Sequence, residues 1–270
     1  MKRTTTSSTV ANITRDLRRT FVSPWSFVWL ALIAFPVYWV LSRDALYAYP
    51  LSAFGTAMSS PVSLALPLIA VAVYLLSFSR EIEARFVVYT RTRCSIVRYL
   101  TEKASANAIA VFLVFFVYAA ISFIVVVWVA PAAGWLQFDP AGYGTHYAAP
   151  DEFVRFSELW AVSPAVYGLV YAIWCGVNGS IWASLGLLAL LLVPNRFVAL
   201  SLPFGACIAL TAVLSLLGLD VFSPYPLWIL FGYTQSAAWT ALVPIGILTI
   251  ICSTVLVSIL RRSSHIDALQ

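Results

Sequence analysis

Charge is what this chain has least of. Of its 270 residues only 10% are Asp, Glu, Lys or Arg, against 61% hydrophobic, where a soluble domain keeps roughly a quarter of its residues charged. That balance excludes an ordinary soluble globular domain. Histidine is almost missing too: His146 and His265 both lie outside the apolar runs. A zinc or glutamate-based intramembrane protease would need histidines near the membrane plane beside carboxylates, so that enzyme class is not expected, nor is any metal site. The two lysines, Lys2 and Lys103, follow no glycine-rich turn, which excludes a P-loop. None of the four cysteines has metal or redox spacing. Cys175, Cys207 and Cys252 fall in apolar runs and Cys94 in a basic loop, and they read as small buried hydrophobes. The short alternating segments of a lipid-spanning barrel are also lacking.

What is present is a succession of long apolar stretches. Six read as membrane spans, at residues 25–41, 61–79, 104–130, 164–193, 198–219 and 241–260. The fold class is an all-α polytopic membrane protein with a cytoplasmic N-terminal segment (1–24), a six-helix transmembrane domain (25–260) and a cytoplasmic tail (261–270). The fourth and fifth spans, separated only by "PNRF", form a tight helical hairpin. No cleavable signal peptide is expected, because the first apolar run begins only near Trp25.

The basic residues fix the orientation. Of the 16, all but Arg43 and Arg155 fall in the N-terminal segment, the loop after the second span, the hairpin turn and the tail. By the positive-inside rule these are cytoplasmic, both termini included. Asp44, Asp139, Asp151, Glu152, Glu158 and Asp220 go to the opposite side. The six spans hold no ionisable side chain, which weakens an ion-coupled carrier, since such carriers need ionisable groups at membrane depth.

Ahead of the first span, Val10, Ile13, Leu17 and Phe21 recur at helical spacing opposite Arg15, Asp16, Arg18 and Arg19. This predicts a short basic amphipathic helix in the cytoplasmic interface. In the long external loop, "DEFVRFSELWAV" predicts a short interfacial helix. The last external loop, "DVFSPYPLWILFGYTQSAAWT", is either a re-entrant element or an aromatic belt. Within the fourth span, Ala172, Gly176, Ser180 and Ser184 recur every four residues around Asn178. That stripe suits ordinary helix packing with one interhelical hydrogen bond, or the lining of a translocation path or dimer seam.

The strongest local anomaly is "YTRTRCSIVRYLTEK", residues 89–103, where Arg91, Arg93, Arg98 and Lys103 gather with Glu102 as the one acid. Ile82, Phe86 and Tyr89 continue the helical spacing of the second span. Ser95 can cap a second short helix carrying Ile96, Val97 and Leu100 towards the third. Lipid anchoring accounts for the charge, but not for partly apolar helices protruding beside it.

This order resembles the membrane subunit of type-2 ABC transporters: an amphipathic helix ending in "DLRRTFVSPW", a span, an external loop, a second span, an acidic-then-basic cytoplasmic loop and four further spans. Glu81 and Glu83 match the acidic part of that family's loop, Ser95 its serine and Lys103 its lysine. Ala84 or Arg85 stands where the family has glycine, and Arg93 where it has proline. The resemblance implies an export permease whose loop is a coupling helix seated on a separate ATPase subunit, which binds ATP and Mg. Arg85, Arg91, Arg93 and Arg98 would meet acids on that partner, Phe86, Tyr89 and Ile96 would pack into its groove, and Ser95 and Lys103 complete the coupling set. It further implies a homodimer or a paired sister permease, contact with membrane lipids, no nucleic-acid partner, no enzymatic site on this chain, and a plasma-membrane location. Absence of buried charge suits a hydrophobic or amphipathic cargo. The alternatives are a secondary carrier or channel, or a non-transport scaffold or assembly protein.

Overall fold

The computed structural model describes residues 4–22, 26–43, 45–83, 95–139, 157–224 and 239–261. These residues form helices and turns, with one isolated bridge between Tyr47 and Phe138 and no strand among them. In chain order the helices are α1 (Thr4–Val22), α2 (Ser26–Leu41), α3 (Pro50–Met58), α4 (Pro61–Glu83), α5 (Ile96–Ile124), α6 (Ser157–Val162), α7 (Pro164–Leu192), α8 (Arg196–Leu216) and α9 (Trp239–Arg261). Helix α5 runs on through a π-helical turn, Val125–Val129, to Ala132. Proline opens α3, α4 and α7, the position where its missing N–H is harmless and its fixed φ suits the helix.

Five helices are long and apolar enough to cross a membrane: α4, α5 with its extension, α7, α8 and the Leu242–Ile259 part of α9. The first expected span, residues 25–41, is not among them. Its residues form α2, 16 residues long, short of the roughly 20 needed to cross unaided.

Helices α5 and α7 are the central pair. On α7, a Cβ at Gly176 would come within 2.7 Å of the Phe112 ring and 3.0 Å of the Phe112 carbonyl oxygen, and one at Gly179 within 2.9 Å of Phe115. The two backbones approach closely because these positions carry no side chain. Gly176→Val is therefore expected to destabilise the protein by about 1–3 kcal/mol through overpacking. Gly205→Val is the control, because nothing lies within 4 Å of a Cβ there. Thermal unfolding in detergent should separate the two variants.

Helix α4 packs against α7 on another side, where Gly186 lies under Val71 and Leu75. Helix α8 touches the bundle along one narrow seam, with Ala199, Pro203 and Cys207 buried. The α7–α8 turn is as tight as expected: Asn195 caps α8 by accepting from the N–H groups of Phe197 at 3.0 Å and Val198 at 3.4 Å. Asn195→Ala should cost about 1 kcal/mol, measured as a shift in the same unfolding transition.

Two features differ from the sequence reading. Helix α3, within what was read as a plain external loop, buries Leu51, Ala53, Phe54, Ala57 and Met58, and Phe54 meets Phe123 and Tyr171 edge-on at 5.1 and 5.4 Å. Nor is there a separate short helix leading into the third span, since α5 is continuous from Ile96. Within the motif expected to form an interfacial helix, Ser157–Val162 are helical, while the rest of that motif and residues 225–238 lie outside the described residues.

Candidate functional site

Hydropathy ends the second span near residue 79 and begins the third near 104, yet the helices run further. Helix α4 continues to Glu83 and α5 starts at Ile96. These extra turns carry Glu81, Glu83, Arg98, Glu102 and Lys103, and they come together with α1 in an ion-paired cluster at the basic end of the bundle. The spans as read, 61–79 and 104–130, hold no Asp, Glu, Lys, Arg or His, but charge at a helix end escapes a hydropathy window while still being enclosed by neighbouring helices.

Lys103 is the centre. It is only 8% exposed, and its ammonium lies 2.9 Å from Asp16 Oδ2 on α1 and 2.9 Å from Glu81 Oε2 on α4. A lysine this enclosed needs such partners, because an unpaired ion out of water is heavily penalised. Both carboxylates are shared further. The Tyr74 hydroxyl donates to Asp16 at 3.0 Å, the Tyr99 hydroxyl donates to Glu81 at 3.4 Å, and Arg19 reaches Glu81 at 3.3 Å. The neighbouring Glu102 accepts from Arg98 Nε, one turn back along α5, at 2.9 Å and from Asn12 Nδ2 at 3.1 Å. Arg196, at the start of α8, pairs with Glu83 at the end of α4. The side chains of Arg19, Glu83 and Arg196 are largely exposed, so the enclosed Asp16–Lys103–Glu81 contact is the strong member and the outer pairs contribute little each.

The cluster turns α1 from its expected orientation. Ile13 and Leu17, expected on the lipid-facing stripe of an interfacial helix, pack on the core, while Val10 and Phe21 of the same stripe are exposed. Asp16, placed by the sequence pattern on the outward polar face, points inward to Lys103 because two independent acceptors serve the lysine better than one.

Of the predicted coupling residues, Ser95 caps α5 by accepting from the Arg98 N–H at 3.4 Å. Ile96 packs on the core, Arg98 is held by Glu102, and Lys103 sits in the cluster. Arg85, Phe86, Tyr89, Arg91 and Arg93 lie outside the described residues. Their segment, 84–94, joins Glu83, which pairs with Arg196, to Ser95, which caps α5.

The small-residue stripe on α7 divides. Ala172 is buried and Gly176 packs on α5. The expected interhelical hydrogen bond is made by Ser180, whose hydroxyl lies 2.8 Å from the Ala108 carbonyl and 2.9 Å from that of Gly176. Asn178 is buried but donates to Trp174 of its own helix at 2.9 Å. Ser184 donates to the Ser180 carbonyl at 2.7 Å. Ser180 and Ser184 also border a groove between α5, α7 and α9. Sequence reasoning passed over Asn107, fully buried in α5 one turn from Lys103, whose amide finds no hydrogen-bond partner among the described residues. Its signal was plain, an amide on the helical register of a buried lysine. Among the described residues no group of His, Cys, Asp and Glu is placed to hold a metal ion.

No family model, curated protein or solved structure matches the chain.

Proposed function

We propose that this chain is the permease subunit of an ATP-driven exporter of the type-2 ABC kind, moving a hydrophobic or amphipathic cargo outward by alternating access. One observation carries the reading. The basic segment 84–94 lies between two helices that ion pairs hold to their neighbours: Lys103 ties α5 to α1 and α4, and Glu83 ties α4 to α8. A push delivered to that segment by a soluble partner would be passed to four helices together, which is what a coupling element requires. The segment's arginines would face acids on an ATPase subunit that binds ATP and Mg, and two permease chains, identical or sister, would enclose the path. In this reading the chain is a multi-pass plasma-membrane protein with both termini in the cytoplasm and no enzymatic site of its own.

A second reading, an ion-coupled carrier, draws on the buried Asp16–Lys103–Glu81 contact, since enclosed ionisable groups serve such carriers. Inverted vesicles from cells that express the chain with its native neighbours separate the two. Accumulation of fluorescent acyl or peptide amphiphiles that requires ATP is expected, whereas accumulation driven by an ion gradient without ATP would select the carrier.

A further inference from the structure

Helices α5, α7 and α9 enclose a groove of about 340 Å³, bordered by Ala104 and Phe112 on α5, Ser180 and Ser184 on α7, and Thr249 and Ser253 on α9. The α7 hydroxyls do not make it polar. Ser180 is spent on the carbonyls of Ala108 and Gly176, and Ser184 on that of Ser180, so the wall they present is effectively hydrocarbon. From Ala104 to Phe112 the groove follows the bundle for about 12 Å, eight residues at helical rise. It lies in the half of α5 that begins next to Lys103, the basic end.

At that end half of the described cations are already matched: Lys103 has two carboxylates, Arg98 has Glu102, Arg19 has Glu81 and Arg196 has Glu83. Arg15, Arg18, Arg80 and Arg261 have no acidic partner among the described residues, and of these four only Arg261 stands on a helix that borders the groove. It closes α9 one to two turns beyond Leu256, which also lines the groove, it is exposed, and it has no acidic partner among the described residues. An apolar channel running along the helix bundle, with a guanidinium beyond its basic end, matches an amphiphile with a hydrocarbon tail and an anionic head.

We infer that this groove is a lipid site: it holds one acyl chain of an anionic phospholipid from the leaflet on the basic side, with Arg261 meeting the phosphate-bearing head. The site stands whether or not an ATPase partner exists, so its failure leaves the permease reading intact.

The test is native mass spectrometry of the full chain, taken from nanodiscs of equal phosphatidylglycerol and phosphatidylcholine with identical tails. Wild type is expected to retain one phosphatidylglycerol in preference to phosphatidylcholine by roughly fivefold, the worth of about one basic side chain at a lipid surface. Ser253→Phe, at the exposed lip, should abolish retention of both lipids, and Ser253→Leu should weaken it should the larger side chain prevent assembly. Arg261→Gln should equalise the two lipids while leaving a bound tail. Equal retention of the two lipids by wild type would overturn the inference, as would retention unaffected by either Ser253 variant. Loss of a chain dimer, rather than of a lipid, in Ser253→Phe would also overturn it, assigning the groove to a second copy.

Discussion

Replacing Lys103 with methionine is expected to destabilise the helix bundle by about 3–5 kcal/mol, the usual consequence of stripping one partner from an enclosed ion pair. Methionine keeps the apolar stem and removes only the charge, so the loss is electrostatic. Asp16 and Glu81, whose side chains are 22% and 17% exposed, would then face each other with no cation between them and little water. The effect should fall towards the lower end of that range, because Arg19 still contacts Glu81 and both carboxylates retain some contact with solvent. Helix α1 should suffer first, since Asp16 is its enclosed polar anchor on the bundle. Limited trypsin digestion is expected to cut at Arg15 or Arg18 in Lys103→Met under conditions where the wild type is resistant. The triple variant Asp16→Asn, Glu81→Gln, Lys103→Met removes all three charges at once and should regain most of the lost stability. A triple variant no more stable than Lys103→Met would show that the ion contact is not what the lysine provides.

Reversing Arg91 and Arg93 to glutamate should act in the opposite way, sparing the fold and disabling the proposed coupling. Arg91 and Arg93 lie outside the described residues, and the contacts that hold the cluster run between Asn12, Asp16, Arg19, Tyr74, Glu81, Tyr99, Arg98, Glu102 and Lys103, with the Glu83–Arg196 pair beside them. The unfolding midpoint is therefore expected to stay at the wild-type value. Against an acidic groove on an ATPase, two arginines turned to glutamates lose two attractions and add two repulsions. Together these weaken docking by about 3 kcal/mol, roughly a hundredfold. Cargo movement would fall with it, while ATP hydrolysis by the released subunit would continue. Transport that survives the double reversal unchanged would remove the coupling role of this segment.

How far the sequence could carry these conclusions depends on the range of each interaction. The long apolar helices were legible because hydropathy is a local sum, and the α7–α8 turn because proline and asparagine act on their own neighbours. The Ser95 cap and the Arg98–Glu102 pair were within reach for the same reason, being three and four residues apart. The inward turn of Asp16 was not, because the side chain that attracts it is remote in sequence and near only once α1 has docked on α5. The apolar spans stopped at 79 and 104, short of the ends of α4 and α5, for a related cause: a charged residue lowers a hydropathy average whether it is solvated or paired, although the spacing of Ile82 and the Ser95 cap already carried the helices on. Helix α3 escaped because it is nine residues long and its small residues, Ser52, Ala53, Gly55 and Ala57, read as loop until a packed surface is set against them. The close packing of Gly176 was legible as a stripe of small residues, but its partner, Phe112, could not be named without the register of the two helices.

The claim at the centre of this account is that the chain works with a separate soluble ATPase docked on the segment between α4 and α5. The most direct measurement is to express it with its native neighbours, extract the membranes mildly, and weigh what co-purifies, beside the Arg91→Glu, Arg93→Glu variant. The account predicts a stoichiometric nucleotide-binding subunit with the wild type and its loss from the variant. A homogeneous membrane protein with no such companion in either preparation would contradict it.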